Sequence, residues 1–252
     1  MNNTRELYNN QAQQWARKEP VLLSDYSARP FVINLCEPIK GLKILDAGCG
    51  EGYVGRQLLQ RGASTVHGID ISEKMIEQAN FICKEEQLQG LSYETADIRT
   101  SEFSEGDCYD LVLCMFLFNY LSVNETHAVI KKIYSLLKPG GHFIFSVPHP
   151  LLAFLKKDKY PFYFQPSGGY FSGRDTLFPG EIWRRDGIPV DVQCVHKTIE
   201  DYFNGLHLAG FNEFPAFHEL HITEEHVKLD PKFFTSLIDL PLHLAFKVRK
   251  NN

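Results

Sequence analysis

The sequence predicts an α/β protein built around a mainly parallel sheet, and three observations carry that expectation. From Lys43 onward, short apolar strands alternate with amphipathic helices. Three successive strand candidates end on an aspartate, and the first runs into a glycine-rich loop. The 252 residues are 44% hydrophobic, enough for one domain that buries about 70% of its unfolded surface.

The elements follow in order. Residues 1–40 read as an N-terminal helical arm: Ala12, Trp15 and Ala16 fall at helical spacing, Pro20 stops that run, and Pro30 opens a second helix ending near Cys36. Strands are expected at 43–47, 65–69, 91–95, 110–115 and 142–147, with helices at 53–61, 73–88 and 123–137 between them. The last of these helices is marked by a Ser122/Glu125 capping box, an apolar stripe through Val129, Ile130, Ile133, Leu136 and Leu137, and a stop at Lys138-Pro139-Gly140-Gly141. Strands joined by such helices are crossover-connected and therefore parallel. Region 151–190 breaks the rhythm with five prolines between 150 and 189 and nine aromatic residues between Leu151 and Trp183. That density marks a folded aromatic lid inserted in the domain rather than a solvated linker. A strand at 190–195, a helix at 199–209, strands near 212–220 and 241–249, and a short helical piece at 231–238 complete one domain spanning 1–252.

Several function classes are excluded at this stage. Lys plus Arg is 26 against 31 Asp plus Glu, a net charge of -5, so nucleic acid and anionic membrane surfaces are not expected partners. The longest apolar run, Leu111–Phe118, is eight residues, too short for a membrane span, and the polar N-terminus predicts a cytoplasmic protein. The six cysteines have no zinc-like spacing, and no metal is expected.

Ligands of parallel sheets bind beyond the carboxyl ends of the strands. There the first strand gives Asp46-Ala47-Gly48-Cys49-Gly50-Glu51-Gly52, the second Asp70-Ile71-Ser72, and the third Asp97-Ile98. Three carboxylates around a glycine loop suit a cationic or polyhydroxyl ligand. The stretch ILDAGCGEG at 44–52, with GIDIS at 68–72, ADI at 96–98, the KPGG turn and a C-terminal strand pair, resembles the class I S-adenosylmethionine-dependent methyltransferases of the small-molecule type. The resemblance covers roughly residues 40–150 and 198–249. It implies a three-layer Rossmann-like methyltransferase fold with a seven-stranded sheet in the order 3-2-1-4-5-7-6, the last strand antiparallel.

It also implies roles. Gly48, Cys49, Gly50 and Gly52 would let the backbone pass under S-adenosylmethionine, and Asp46 would hold its methionine ammonium. Asp70 would accept from both ribose hydroxyls. Asp97 would take the adenine amino group between Ile71, Met75 and Ile98, and Cys114, Met115 and Phe116 would run along the sulfonium. A nicotinamide reading competes, because Gly50 to Gly55 spells G-x-G-x-x-G and Asp70 lies 20 residues beyond Gly50. Its register is wrong, since Asp46 would then face a pyrophosphate. A non-catalytic cofactor-binding subunit is the other alternative.

The segment after strand four has no acid from Leu111 to Asn124 and no Asn-Pro-Pro-Tyr-like signature. Among such enzymes this leaves those acting on small molecules at oxygen, nitrogen or carbon, of which metal-independent O- or N-methylation is the expectation, and the aromatic lid suits an apolar or aromatic acceptor. Tyr163, Phe164, Tyr170, Phe171 and Trp183 of the lid, with Tyr8 and Trp15 of the arm, are the candidate acceptor wall. His149, set between two prolines, and His196 are the candidate bases, and Asn119 and Tyr120 the candidate positioning groups.

Overall fold

The computed structural model describes residues 2–17, 19–103, 108–156 and 159–251, so residues 157–158 of the expected lid lie outside the described residues. The arm contains α1 (Asn2–Trp15), α2 (Ser24–Ser27) and α3 (Arg29–Leu35). The central alternation runs β1 (Lys43–Ala47), α4 (Tyr53–Gln60), β2 (Thr65–Asp70), α5 (Glu73–Glu85), β3 (Leu91–Thr95), β4 (Tyr109–Met115), α6 (Val123–Leu136) and β5 (Leu137–Pro148). After it come β6 (Phe162–Phe164), β7 (Leu177–Trp183), β8 (Pro189–Val195), α7 (Ile199–Ala209), β9 (Ala216–Leu220), α8 (Glu224–Leu229), α9 (Pro231–Phe234) and β10 (His243–Arg249).

The main sheet has seven strands in the order β3-β2-β1-β4-β5-β10-β9. β1 to β5 pair in parallel, and β10 is antiparallel to both its neighbours. With β9 and β10 as the sixth and seventh strands, this is the expected order. Side chains alternate across β1. Leu45 and Ala47 join the core under α6 and α7, while Ile44 joins Val32, Ile33, Val54 and Leu58 under α3 and α4. Asp46, two residues after Ile44, therefore projects on the side of α3 and α4. The capping box of α6 is formed, with Glu125 N donating to Ser122 Oγ at 3.2 Å and Ser122 N donating to Glu125 Oε2 at 2.8 Å.

One expectation is corrected, and the sheet of one strand is settled. The KPGG turn ends α6 at Leu136, but extended backbone resumes at Leu137, and β5 passes through residues 138–141 with a register shift against β4. The strand at 189–195 does not belong to the main sheet. It pairs with β7 in a separate three-stranded antiparallel sheet, order β6-β7-β8. The β7–β8 hairpin turns at Asp186-Gly187, where Gly187 takes φ +84° and its N–H donates to Arg184 O at 2.8 Å. This small sheet is fastened to the arm. Asp191 N donates to Gln11 Oε1 at 2.9 Å, and Arg185 N donates to Val21 O at 2.8 Å. Arm and small sheet together cover the carboxyl ends of the parallel strands.

The core of β5 and β10 rests on Phe145 and Phe246, stacked with centroids 4.5 Å apart and both fully buried. Phe246→Ala should lower unfolding stability in urea by about 3–5 kcal/mol. Phe214→Ser, at a side chain 82% exposed, should change it by less than about 0.5 kcal/mol.

Candidate functional site

The carboxyl ends of β1, β2 and β4 and the segment after β3 open into one cavity of about 240 Å³. Its floor is the loop after β1. Gly48 N and Cys49 N both donate to Ile69 O, at 2.8 and 3.0 Å, which ties the loop to β2. Gly50 takes φ +56° and its N–H donates to Asp70 Oδ2 at 2.9 Å, while Ser72 N donates to Asp70 Oδ1 at 2.9 Å. Two backbone amides thus aim the Asp70 carboxylate, and each oxygen keeps acceptor capacity for a ligand in the cavity. Burial raises the Asp70 pKa against these two bonds. Gly48, Cys49 and Gly50 line the cavity but Gly52 does not: a Cβ there would collide with the Tyr93 hydroxyl, so Gly52 serves the packing of β3 on the start of α4.

Asp46 is 1% exposed, lines the cavity, and neither of its oxygens has a hydrogen-bond partner among the described residues. Burial, reinforced by Asp70 and Glu51 and opposed by Arg29, pushes its carboxyl up to about 7. The cations nearby are largely committed. Arg17 donates to Asp25 from Nε and Nη2, both at 3.0 Å, and to Glu51 from Nη1 at 3.1 Å. Arg56 donates to Glu51 at 2.7 Å, and Arg29 Nη1 to Asp25 at 2.8 Å. Burial raises the Asp25 carboxyl, but Arg29 and Arg17 outweigh it and hold the pKa below its ordinary value. Among the described residues Nε and Nη2 of Arg29 make no hydrogen bond, and Arg29 lines the cavity. This network of Arg17, Asp25, Arg29 and Glu51 was missed in the sequence. The i, i+4 spacing of Asp25 and Arg29 was its one local signal.

At the other end of the cavity stands Phe116, which leaves β4 with φ +62°. The Arg29 guanidinium lies 5.2 Å from its ring centroid, and the His243 ring meets it edge-on at 5.2 Å. Met115 lines the cavity, whereas Cys114, one residue earlier, points into the core under α6. Asn119 Oδ1 and Trp15 Nε1 are buried without partners, and the Tyr8 and Tyr120 hydroxyls touch; all four residues line the cavity. Phe164 and Trp183 form its far wall with Phe162 and Ile182. Tyr163 alternates to the other face of β6, Tyr170 covers His196, and Phe171 is 80% exposed, so these three stand outside. Ile71, Met75 and Ile98 line the cavity as expected. Asp97 lines it too, but its carboxylate already accepts from Arg99 N, Nε and Nη2 at 2.6–3.1 Å, leaving little capacity for an adenine amino group.

The two expected bases are also elsewhere. His149 Nε2 lies 3.1 Å from Glu219 Oε1, and its Nδ1 accepts from Leu151 N at 3.2 Å. His196 Nε2 lies 2.8 Å from Tyr170 O, and its ring stacks on Phe178. Neither lines the main cavity; among the described residues the histidine that does is His243. No group of three or more metal-ligating side chains is gathered among the described residues, and none of their helices is long and apolar enough to cross a membrane.

Comparison with known proteins bears on this site. Residues 44–141, which hold the loop and the three strand ends, match the family model of a methyltransferase domain. An S-adenosylmethionine-dependent methyltransferase from Mesorhizobium loti superposes with a TM-score of 0.66 at 25% identity, covering 88% of this chain and 96% of that one. The segment 44–141 matches a methyltransferase domain, and the chain has the fold of the S-adenosylmethionine-dependent methyltransferases, which it resembles. It is 32% identical over 108 residues to a ubiquinone biosynthesis O-methyltransferase of Acinetobacter baylyi, 43% of this chain and 44% of that protein. The first curated relatives it matches are spanned over 61% and 44% of their lengths. The fold, at 19% identity and a TM-score of 0.64, is also that of a magnesium protoporphyrin IX methyltransferase from Synechocystis PCC 6803, covering 99% of each chain.

The raised Asp46 pKa has a sign that can be tested. A carboxyl raised in the folded state costs nothing below its unfolded pKa near 3.8 and progressively destabilises the fold as pH rises towards 7. Without ligand, Asp46→Asn should therefore raise stability at pH 8 by up to about 4 kcal/mol, and the two proteins should converge near pH 4. Equal stability at both pH values would show that Asp46 carries no such penalty.

Proposed function

We propose that the protein transfers a methyl group from S-adenosylmethionine to a small apolar or aromatic acceptor, at oxygen or nitrogen and without a metal. The observation that carries this reading is the pair of carboxylates flanking the glycine loop, one with no partner and one with two oriented acceptors to spare. Such a pair fits a ligand that brings an ammonium and a vicinal diol together, and S-adenosylmethionine has both. A dinucleotide would set its pyrophosphate against Asp46.

The residues divide the ligand among them. Asp46 holds the methionine ammonium and regains the partner it lacks, while the free donors of Arg29 suit the methionine carboxylate. Asp70 accepts from the ribose hydroxyls, and Ile71, Met75 and Ile98 enclose the adenine. When bound, the cofactor supplies an electrophilic methyl group on a sulfonium. The chain's own contribution is alignment and exclusion of water, and alignment is worth up to roughly 7–11 kcal/mol in such reactions. Tyr8 and Trp15 close the cavity over the site, and Phe162, Phe164, Ile182 and Trp183 give the acceptor an apolar wall. The name of the Acinetobacter relative supports oxygen as the methylated atom.

Calorimetry tests the reading. S-adenosylhomocysteine should bind with micromolar-range affinity and NAD should not bind. Asp70→Ala should weaken S-adenosylhomocysteine by about 2–4 kcal/mol, roughly 30- to 1,000-fold. Unchanged affinity in that variant, or tighter binding of NAD, would refute the assignment.

A further inference from the structure

His243 opens β10 directly opposite Pro148, the last residue of β5, so it stands where β4 and β5 end. It is 6% exposed and lines the cavity. Its Nδ1 lies 2.9 Å from Ser27 Oγ, and Ser27 Oγ donates to Leu23 O at 3.0 Å. A hydroxyl has one proton to give. A proton given to Leu23 O leaves the ring to supply the one between Ser27 and His243, the Nδ1–H form, and this is the tautomer that the proposal takes and the experiment below reads. In that form Nε2 carries a bare lone pair, and it has no hydrogen bond among the described residues.

We propose that His243 Nε2 receives the proton of the methyl acceptor, and that the accepting group is a neutral hydroxyl. The proposal rests on the methyltransferase reading of the same cavity. Three chemistries compete for the acceptor, and His243 separates them. Burial, with Arg29 and His149 adding to it, lowers the imidazole pKa to about 3. So weak a base cannot take a proton from an ammonium, and a carboxylate has none to give. A neutral O–H donates a hydrogen bond to Nε2 and becomes strongly acidic only as its oxygen is alkylated, because a protonated ether is a far stronger acid than an imidazolium. The new O–C bond uses an oxygen lone pair, the pair of the broken C–S bond stays on sulfur, and the O–H pair stays on oxygen as the proton passes to Nε2 and on to solvent. Ser27 is a positioning residue, which sets the tautomer.

Nitrogen-15 NMR of the histidine-labelled protein at pH 7 reads the tautomer without any ligand. His243 should be neutral with its proton on Nδ1, and Ser27→Ala should move it towards the Nε2–H form. An Nε2–H ring or an imidazolium in the unaltered protein would overturn the proposal. In parallel, panels of small phenols, amines and carboxylates are offered with labelled S-adenosylmethionine. Phenols should be methylated, His243→Leu should lower kcat about 10²- to 10⁴-fold, and His243→Gln, which keeps an acceptor atom, should recover part of it. S-adenosylhomocysteine affinity should stay within about twofold throughout. Full kcat in His243→Leu, or methylation of amines or carboxylates alone, would overturn the role of His243. Loss of S-adenosylhomocysteine binding by the unaltered protein would instead overturn the methyltransferase reading itself.

Discussion

A buried carboxylate with no hydrogen-bond partner among the described residues sits at the end of β1, and much of the surrounding structure follows from it. β1 is hydrogen-bonded to β2 on one side and β4 on the other, which fixes Asp46 in place. An uncompensated buried charge costs several kcal/mol. The arginines around it do not relieve that cost: Arg17 and Arg56 are committed to Asp25 and Glu51, and Arg29 has only one nitrogen paired. The site without ligand thus holds an acid in want of a cation and, a short distance away, guanidinium donors in want of an anion. On the proposed reading, a zwitterionic amino acid end would satisfy both.

That desolvation depends on the roof. α1 is tied to β8 through Gln11 and to the start of α5 through Asn9, which accepts from Ser72 Oγ at 2.6 Å. Tyr8 and Trp15 hang from it into the cavity. The hairpin β7–β8 holds Phe162, Phe164 and Trp183 opposite. Arm and small sheet therefore act as one cover: loosening either would admit water to Asp46 and weaken the electrostatic reason for binding.

Much of the central sheet was legible because its signals are local. The strands at 43–47 and 91–95 and the helix at 199–209 have the bounds expected of them, since apolar runs, caps and glycines act within a few residues. The strand-end aspartates were legible for the same reason. What was hidden is non-local. The arginine network forms between the arm and the glycine loop, across 34 residues in the Arg17–Glu51 pair, and no periodicity announces it. Asp97 looked free until Arg99 folded back onto it. The histidine at the site has a geometric reason to be hidden: the carboxyl-end rule holds for parallel strands, but β10 runs antiparallel, so its first residue, His243, reaches the site. His149, one residue past β5, turns towards Glu219 of β9.

The most direct test of the central claim is the titration of the Asp46 carboxyl by carbon-13 NMR, with and without saturating S-adenosylhomocysteine. Without ligand the carboxyl should titrate near 7, and with the ligand ammonium beside it below about 5. An ordinary carboxylate value in the free protein, or a value that the ligand leaves unmoved, would contradict the account.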